Sequence, residues 1–337
     1  MKTKYLIIGG GLSGLIMGME LTKRGEDYII IEKSKNLIEA KLHYLHADLS
    51  EYFPFKLRQV DIATNVYWKG HYYAKPTIPM MNRFSCSTIN KVVQNSMKYI
   101  DGDMHRGWVP ENGIENISNR VLDFNKNKPL TGYNLVDIDY VNHIAKVEYT
   151  TVADGQDVPC MEDIEYETII STIPLPVMLK IAGIEHNVKF ETEPLKMVEV
   201  KVPEELYEEM YQVVYVPEAE FGITRFSILG RRVVAELGHK NLPMQALWKT
   251  GLENFIRDLL PIVDPKVCKF EEQTNWYGRY IPVREEDRAE LVTQLAYKDI
   301  MCLGRYAEWT YKRTDHVVKD AAALADQNKI IAKKGEV

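Results

Sequence analysis

Three glycines near the N-terminus have the spacing that a phosphate-binding turn requires. Gly9, Gly11 and Gly14 follow an apolar run at residues 4–8, whose β-branched members indicate a buried strand. In such a turn the first glycine allows the tight bend, the second lets the backbone approach a pyrophosphate, and the third packs the next helix on the strand. The pattern predicts a dinucleotide site at the start of that helix, where unpaired N–H groups attract negative charge. The alternative is a glycine-rich turn that only packs a helix against a strand.

Glu32 stands where a dinucleotide site needs an acidic residue. It ends a second apolar run, residues 28–32, which follows a predicted helix at 13–23 and a helix stop at Gly25. A carboxylate at this position accepts hydrogen bonds from both hydroxyls of an adenosine ribose and repels a 2′-phosphate. Strand, helix and strand in this order form a βαβ unit, which predicts a parallel sheet.

The spacing from Gly9 through Gly18 and Gly25 to Glu32 resembles the FAD fingerprint of flavoprotein oxidoreductases. Residues 171–176, S-T-I-P-L-P, look like the segment where the chain leaves the FAD domain in the amine oxidase, protoporphyrinogen oxidase and UDP-galactopyranose mutase group. Residues 304–317, G-R-Y-A-E-W-T-Y-K-R-T-D-H-V, are similar without gaps to a mutase segment. Further segments look like the mutase-like branch of this group, and they are residues 215–217, 224–227, 234–236 and 278–283. One departure is that residues 33–45 lack the Gly-Gly pair that usually follows the acidic residue in this group.

The resemblance implies noncovalently bound FAD. By this similarity the FAD-binding residues are Gly9, Gly11, Leu12, Ser13, Gly14, Glu32, Lys33, Val136, Gly304, Arg305 and Asp315. The backbone of Leu135 or Val136 resembles the position that contacts the adenine. Arg305 would hold the pyrophosphate or lie near the flavin, and a surface ion pair is the alternative. Asp315 and Thr314 would begin a closing helix whose positive end faces the reduced flavin, and ordinary capping is the alternative.

The candidates for catalysis also come from the resemblance, and they are His46, Arg225, Tyr280 and Tyr311. His43 and His46 loosely match the mutase histidine loop beside the flavin, and a structural histidine is the alternative. Tyr311 falls on an aromatic residue that holds substrate phosphate in the mutases, and Arg225 falls near their substrate-domain arginine. A pocket combining cations with aromatic faces suits an anionic or ring-bearing ligand, although each side chain singly also fits a core or solvated position. Its further members would be Tyr277, Arg279 and Trp309.

Other kinds of chemistry lack support in the sequence. The histidines have no third ligand at a defined spacing and no H-E-x-x-H motif is present, so no metal site is predicted. Ser85, Cys86 and Ser87 lack the G-x-S-x-G elbow of a hydrolase nucleophile. The formal net charge of −6 gives no general signature of nucleic-acid or anionic-membrane binding. Four widely spaced cysteines and no targeting segment favour a reducing cytoplasm.

The elements that must position these residues predict an α/β fold. Turn-rich sequence is expected over 51–119 with a helix at 88–99, a hairpin over 133–151, and a strand over 166–172. A second sheet is expected from strands at 196–202, 212–216 and 232–237, followed by a helix at 245–260. A last strand at 299–303 precedes the closing helix from about residue 314. We expect a Rossmann-like FAD-binding domain from residues 1–60, 120–182 and 290–337, with an inserted α+β substrate domain, built on an antiparallel sheet, from residues 61–119 and 183–289.

Three functions follow from these expectations. The first is an FAD-dependent oxidoreductase, similar to amine oxidases, in which a small or nucleotide-linked substrate transfers hydride to the flavin. The second is flavin-dependent sugar mutase chemistry without net oxidation. The third is a flavin- or nucleotide-binding protein without catalysis. A second dinucleotide fingerprint is absent from the sequence, so oxygen or a separate partner would reoxidise the flavin.

Overall fold

A computed structural model gives the fold of the chain. It describes residues 1–37, 44–74, 77, 80, 105–111, 117–153, 155–201, 210–216, 223–229, 232–238, 245–259 and 269–334. The predicted helix at 88–99, His43 and Ser85 to Ser87 lie outside these residues. In the part that is described, no helix is both long and apolar enough to cross a membrane.

A parallel sheet holds the N-terminal glycine turn. Its strands are β1 (Tyr5–Ile8), β2 (Tyr28–Glu32), β6 (Leu130–Thr131), β10 (Thr168–Ser171) and β16 (Ile300–Cys302). They lie in the order β16, β10, β1, β2, β6, and each neighbouring pair is parallel. Helix α1 (Leu12–Arg24) links β1 to β2, so the predicted βαβ unit is present. Both predicted strands of this unit are nearly continuous apolar runs because the sheet is covered on both faces.

A larger, mixed sheet is built mainly from later parts of the chain. Its strand order is β15, β11, β14, β13, β12, β3, β4, with β5 beside β3. All of its pairs are antiparallel except the parallel pair of β12 with β3. The strands are β3 (Leu57–Trp68), β4 (His71–Tyr73), β5 (His105–Pro110), β11 (Thr192–Lys201), β12 (Met210–Tyr215), β13 (Ile223–Leu229), β14 (Arg232–Gly238) and β15 (Lys269–Tyr280).

A three-stranded antiparallel meander completes the described sheets. It comprises β7 (Asn134–Asp139), β8 (Ile144–Ala153) and β9 (Gln156–Glu165). The remaining helices are α2 (Ile117–Phe124), α3 (Leu175–Ile181), α4 (Gln245–Leu259), α5 (Glu285–Ala296) and α6 (Thr314–Lys334).

Separate apolar clusters pack the two large sheets. Helices α1 and α6 share one cluster with β1 and β2, in which Met17, Leu21 and Val318 are almost fully buried. Helix α4 covers one face of the mixed sheet through Leu252, Phe255 and Ile256. The opposite face of that sheet carries Arg225, and we call it the Arg225 face. Its apolar members include Leu195, Met197, Val213 and Val234.

The sequence underestimated the strands between residues 51 and 119. Strand β3 runs over 12 residues through a region predicted to be turn-rich. Its alternation of buried Val60 and Ile62 with exposed Asp61 is a strand signal that the surrounding aromatic residues obscured. Strand β15 was also missed, because its polar sequence has no apolar alternation and its pairing with β11 sets its conformation.

Candidate functional site

The three fingerprint glycines differ in what surrounds them. Gly9 has φ of +109°, a conformation that L side chains rarely adopt, and a Cβ there would lie 2.5 Å from Thr172 Oγ1. A Cβ on Gly14 would lie 2.0 Å from the carbonyl oxygen of Gly9, so helix and strand touch at this point. A Cβ on Gly11, in contrast, meets no atom within 4 Å. The turn therefore has no room for a side chain at Gly9 and Gly14, whereas the space next to Gly11 is open.

Glu32 is held in place at the edge of this turn. Its Oε2 accepts a hydrogen bond from the backbone N–H of Gly10 at 2.8 Å, and its Oε1 accepts one from Ser34 N–H at 2.8 Å. A carboxylate oxygen has further acceptor capacity after one such bond, so Glu32 can still receive ribose hydroxyls. The segment after Glu32 thus supplies a backbone donor at Ser34, although it lacks the expected glycine pair. The side chain of Lys33 is exposed beside it.

The C-terminal glycine predicted at this site does reach the turn. Gly304 has φ of +96°, and a Cβ there would lie 2.4 Å from the hydroxyl oxygen of Ser13. Strand β16, which precedes Gly304, lies two strands from β1 in the parallel sheet. The carboxyl ends of parallel strands meet at one edge, and the structure therefore brings Gly304 to the N-terminus of α1, where Leu12 and Ser13 are half-buried.

A β-bulge sets Val136 apart from its neighbours. Leu135 pairs with Val147 and Asp137 pairs with Lys146, so Val136 is the extra residue on β7. Its side chain is 39% exposed. Next to β7, Gly132 N–H donates to the carbonyl of Ser34 at 3.0 Å, which ties the meander to the loop after Glu32. The bulge therefore frees backbone groups of Val136 from the ladder close to that loop.

Arg305 lies among three tyrosines, and we call this group the Arg305 cluster. The guanidinium carbon is 5.5 Å from the ring centres of Tyr280 and Tyr306 and 5.8 Å from that of Tyr311, which are cation–π distances. The buried Nε of Arg305 has no hydrogen-bond partner among the described residues. Burial raises the pKa of Tyr280 to about 12, although the charge of Arg305 opposes the shift. The cluster brings the predicted Tyr280 and Tyr311 together with Arg305.

Asp315 lies in the first turn of α6 and is 4% exposed. Its Oδ2 accepts a hydrogen bond from Arg313 Nη2 at 2.9 Å, and Nε2 of His316 lies 3.7 Å from the same oxygen. Its buried Oδ1 has no hydrogen-bond partner in the described part of the chain. A buried acceptor of this kind calls for a donor, because an unsatisfied carboxylate oxygen is costly.

The other two catalytic candidates are His46, in the segment before β3, and Arg225, on β13 of the mixed sheet. The ring of Tyr44 is 4.7 Å from that of His46 and 4.9 Å from that of Tyr211, which is on the Arg225 face. Arg225 forms an ion pair with Glu236 on the next strand. The structure thus brings Tyr280 and Tyr311 together at Arg305, while His46 contacts Tyr44 and Arg225 contacts Glu236. The side chains of Tyr277 and Arg279 lie outside the description.

Contacts in the structure join the Arg225 face to the glycine turn. Leu45 belongs to the core cluster of α1 and α6, whereas its neighbour Tyr44 packs on the Arg225 face. At the other end, the hydroxyl of Tyr306 donates to the carbonyl of Gly278 at 3.4 Å, and a Cβ on Gly278 would touch Leu195 of the same face. These contacts therefore link residues of the Arg225 face to the part of the molecule that carries the glycine turn.

Several residues of the site were not predicted from the sequence. Thr172 closes the base of the turn, because its hydroxyl donates to the carbonyls of Ile8 at 3.0 Å and Gly9 at 3.2 Å. Ser34 and Tyr306 were also missed, although each follows a predicted residue directly and only its contacts identify it. Within the described residues, no group of three potential metal ligands occurs.

Comparison with known proteins found similar folds among solved structures. No protein-family model matches the chain, and a search of curated proteins found no similar sequence. A reduced UDP-galactopyranose mutase is similar with a TM-score of 0.67 and 13% identity, over 99% of this chain and 95% of the mutase. The chain has the same fold. A protein described as a protoporphyrinogen oxidase, from Exiguobacterium sp. 255-15, gives 0.62 and 11%, over 97% and 99%.

A third solved structure with a similar fold is a monooxygenase. The p-nitrophenol 4-monooxygenase PnpA from Pseudomonas putida DLL-E4 gives a TM-score of 0.58 and 13% identity, over 99% of this chain and 81% of that chain. These similarities confirm the mixed α/β fold with a Rossmann-like parallel sheet. At identities of 11–13%, the structural similarity shows the fold only, so the reaction and the substrate have to be inferred from the residues of the site.

Proposed function

We propose that the chain binds FAD noncovalently and is a flavin-dependent oxidoreductase. One observation carries the proposal: the space next to Gly11 is open, while Gly9 and Gly14 leave no room for a Cβ and Gly304 packs on Ser13 at the start of the same helix. A turn that only packed a helix on a strand would need the close contact at Gly14 and would have no use for an open Gly11. The fold shared with the mutase and the monooxygenase supports the same reading.

The residues fit the two ends of a dinucleotide. The pyrophosphate would lie over Gly11 and receive backbone N–H groups of Leu12 and Ser13 at the start of α1. The ribose hydroxyls would bind Glu32, whose carboxylate is already oriented by two backbone donors. The adenine would contact backbone groups of Val136 at the bulge, with Lys33 beside it.

The flavin end would lie toward the closing helix. Among the described residues, Arg305 has an unpaired donor at Nε and Asp315 has an unpaired acceptor at Oδ1, which would suit a ribityl hydroxyl. The N-terminus of α6 carries a partial positive charge, which favours the charge that develops on a flavin upon reduction. The bound flavin would supply the hydride acceptor, and the protein would supply orientation and electrostatics.

The substrate would lie between the Arg305 cluster and the Arg225 face. Tyr280, Tyr306 and Tyr311 give aromatic surface that orients a substrate and excludes water from the reacting atoms. Arg225 would contact it from the mixed sheet, and His46 from the segment that packs on this sheet through Tyr44. In this arrangement residues 1–60, 120–182 and 290–337 bind FAD, and the inserted residues 61–119 and 183–289 form the substrate domain.

Mutase-like sugar chemistry is the second candidate, because the mutase gives the TM-score of 0.67 and Tyr311 lies beside Arg305. The two functions differ in their redox balance. An oxidoreductase substrate reduces the flavin and bleaches its visible absorbance, whereas a mutase substrate turns over only on flavin that is already reduced.

Purified protein tests the proposal directly. We expect a yellow protein with about one FAD per chain, released by heat as FAD rather than FMN, and bleached anaerobically by a substrate among amines and alcohols. The Gly11→Ala variant, which should fold, is the matched control for adventitious colour. Colourless protein that neither gains FAD on addition nor is stabilised by it would contradict the assignment.

A further inference from the structure

Glu308 closes the turn that carries Arg305. Its Oε1 accepts a hydrogen bond from the backbone N–H of Gly304 at 3.1 Å, and its own backbone N–H donates to the carbonyl of Gly304 at 2.9 Å. The backbone N–H of Thr310 also donates to the carbonyl of Arg305 at 3.2 Å. Glu308 therefore binds both backbone polar groups of the residue that immediately precedes Arg305.

The same glutamate joins this turn to helix α6. Its Oε2 lies 2.5 Å from Nζ of Lys312, which also donates to Oδ2 of Asp320 on α6 at 2.6 Å. The side chains of Glu308 and Lys312 are 16% and 20% exposed. Burial by itself lowers the pKa of Lys312, but its hydrogen bonds with Asp320 and Glu308 raise it above the ordinary value, so the ammonium stays charged. The turn is thus tied to the helix that begins with Thr314 and Asp315.

The backbone of this segment is unusual on both sides of Arg305. Gly304 has φ of +96°, and Trp309, directly after Glu308, has φ of +51°. A bulky residue in the left-handed region is strained and persists only where the surrounding structure holds it. Trp309 is 1% exposed, and its Nε1–H donates to the carbonyl of Ile281 at 3.0 Å. The segment therefore depends on its fixed contacts to keep this conformation.

Arg305 in turn depends on this backbone for its place. Its guanidinium carbon lies 5.5 Å from the ring centres of Tyr280 and Tyr306 and 5.8 Å from that of Tyr311. Its buried Nε has no hydrogen-bond partner among the described residues. Ring faces do not fix a guanidinium as paired hydrogen bonds to a carboxylate would. The position of the guanidinium therefore follows from where the Gly304 turn places the backbone of Arg305.

We propose that Glu308 is the positioning residue of Arg305, and that it acts through its hydrogen bond to the backbone of Gly304. The proposal rests on the proposed binding of FAD, in which Arg305 lies near the flavin. It adds to that site a residue that acts on the cofactor only through the arginine.

Two substitutions separate positioning from a direct effect of charge. Glu308→Asp keeps the charge, but its shorter side chain loses the reach to Gly304 N–H. Glu308→Gln keeps the length and an acceptor oxygen but removes the charge. Positioning predicts that Glu308→Asp lowers the flavin midpoint potential and that Glu308→Gln stays close to the wild type. A direct effect of charge predicts the reverse, with an unchanged Glu308→Asp and a raised potential in Glu308→Gln, because a nearby carboxylate disfavours the anionic reduced flavin.

We expect reduced FAD to lose about threefold more affinity than oxidised FAD in Glu308→Asp. Photoreduction against a reference dye measures this ratio, since the potential reports the difference between the two binding free energies. In the Arg305→Ala background the same substitution should change nothing, because the group that it positions is gone.

Glu26→Asp is the matched control for shortening a paired glutamate. Glu26 is 18% exposed and its Oε2 lies 2.7 Å from Nζ of Lys4. It precedes β2, at the opposite end of this strand from Glu32 and the glycine turn. Glu26→Asp should therefore keep the wild-type potential.

A second readout needs no flavin. The nuclear magnetic resonance signal of Arg305 Nε–H, assigned by its absence in Arg305→Ala, should shift in Glu308→Asp and stay in place in Glu308→Gln and Glu26→Asp. A wild-type potential in Glu308→Asp, a shift that persists without Arg305, or an equal shift in Glu308→Gln or Glu26→Asp overturns the inference. A protein that binds no FAD overturns the proposed function instead, and the Arg305 signal then decides by itself whether Glu308 positions Arg305.

Discussion

Gly11 and Gly14 are three residues apart, yet a methyl group would meet different surroundings at each. At Gly11 it enters open space, and the backbone there has φ of −70°, which any residue tolerates. At Gly14 it lies 2.0 Å from the backbone oxygen of Gly9, which cannot move without shifting β1. Substitutions at Gly11 and at Gly14 therefore test cofactor binding and folding separately.

We predict that Gly11→Ala folds with nearly the wild-type melting temperature but binds FAD at least about tenfold more weakly, because the methyl group occupies the pyrophosphate space. Gly14→Ala should instead lower the free energy of unfolding by about 2 kcal/mol or more through overpacking. Thermal melts and FAD titration of both variants measure the two effects. Wild-type FAD affinity in Gly11→Ala would show that the pyrophosphate lies elsewhere.

Arg305 can act on the cofactor in two ways that an electrochemical measurement separates. A guanidinium that only clamps phosphate changes FAD affinity in both redox states, whereas one near the flavin stabilises its anionic reduced form. The preceding residue, Gly304, packs near Val317 in the first turn of α6, and this position favours a share of the second role. We predict that Arg305→Ala lowers the midpoint potential by tens of millivolts, about 20 to 60 mV for a loss of 1 to 3 kcal/mol.

Arg305→Lys is the control for charge alone. Its midpoint potential should lie between those of Arg305→Ala and the wild type, because an ammonium lacks the planar, forked donors of a guanidinium. Photoreduction against a reference dye gives both values on FAD-loaded protein. An unchanged potential in Arg305→Ala would reduce Arg305 to a phosphate-binding or structural residue.

At the scale of elements, α1 is joined to α6 through a buried charge. Glu20 is 2% exposed, and its carboxylate accepts hydrogen bonds from Lys23 at 2.7 Å and Arg24 at 2.6 Å. Arg24 also reaches α6, where it donates to Asp326 at 2.9 Å and to the carbonyl of Ala322 at 3.2 Å. Since α1 presents the glycine turn and α6 presents Asp315, this junction fixes the two halves of the proposed cofactor site.

We predict that Arg24→Ala lowers the free energy of unfolding by about 2 to 4 kcal/mol, because it leaves the Glu20 carboxylate buried with only Lys23 to balance it. Arg284→Ala is the matched control, since Arg284 is 77% exposed and pairs with Asp287 on one helix turn, so its loss should hardly change the free energy of unfolding. Urea denaturation of both variants decides the matter, and equal losses would argue against a buried junction.

At the scale of the whole molecule, four tyrosines share one property, two of them between strands and two on the mixed sheet. Burial is the main cause that raises the pKa of Tyr140, Tyr166, Tyr211 and Tyr280 to about 12, from an ordinary value of 10.0. The folded state thus favours their neutral form. Their contribution to stability is complete below pH 10 and is lost as the pH rises through 10 toward 12, because the unfolded chain releases these protons first.

We predict that the free energy of unfolding falls steeply above pH 10, by on the order of 1.4 kcal/mol per pH unit for each of these tyrosines. Urea denaturation at increasing pH measures the slope. Tyr280→Phe should reduce it by about one tyrosine's share, whereas Tyr297→Phe, which alters a side chain that is 86% exposed, should leave it unchanged. A slope that is the same in Tyr280→Phe and the wild type would contradict the burial of this hydroxyl.

Local sequence determined the half of the site that depends on short-range geometry. The strand, turn and helix around Gly9 to Gly14, the strand ending at Glu32, and the closing helix from Thr314 follow from apolar runs and glycine spacing within a few residues. The same runs also predicted the parallel sheet. They sufficed because a βαβ unit is set by neighbouring residues and by the close approach that only glycine permits.

The tertiary structure alone decided which distant side chains meet. The resemblance grouped Gly304 with Ser13 and Tyr280 with Tyr311, but their actual contacts, and the pairing of Glu236 with Arg225, depend on strand order and on the register of β13 with β14. A shift of one residue in that register would turn Glu236 to the other face and leave Arg225 unpaired. The charge of the proposed substrate surface is therefore a property of the folded sheet, which the sequence shows only once its strands are paired.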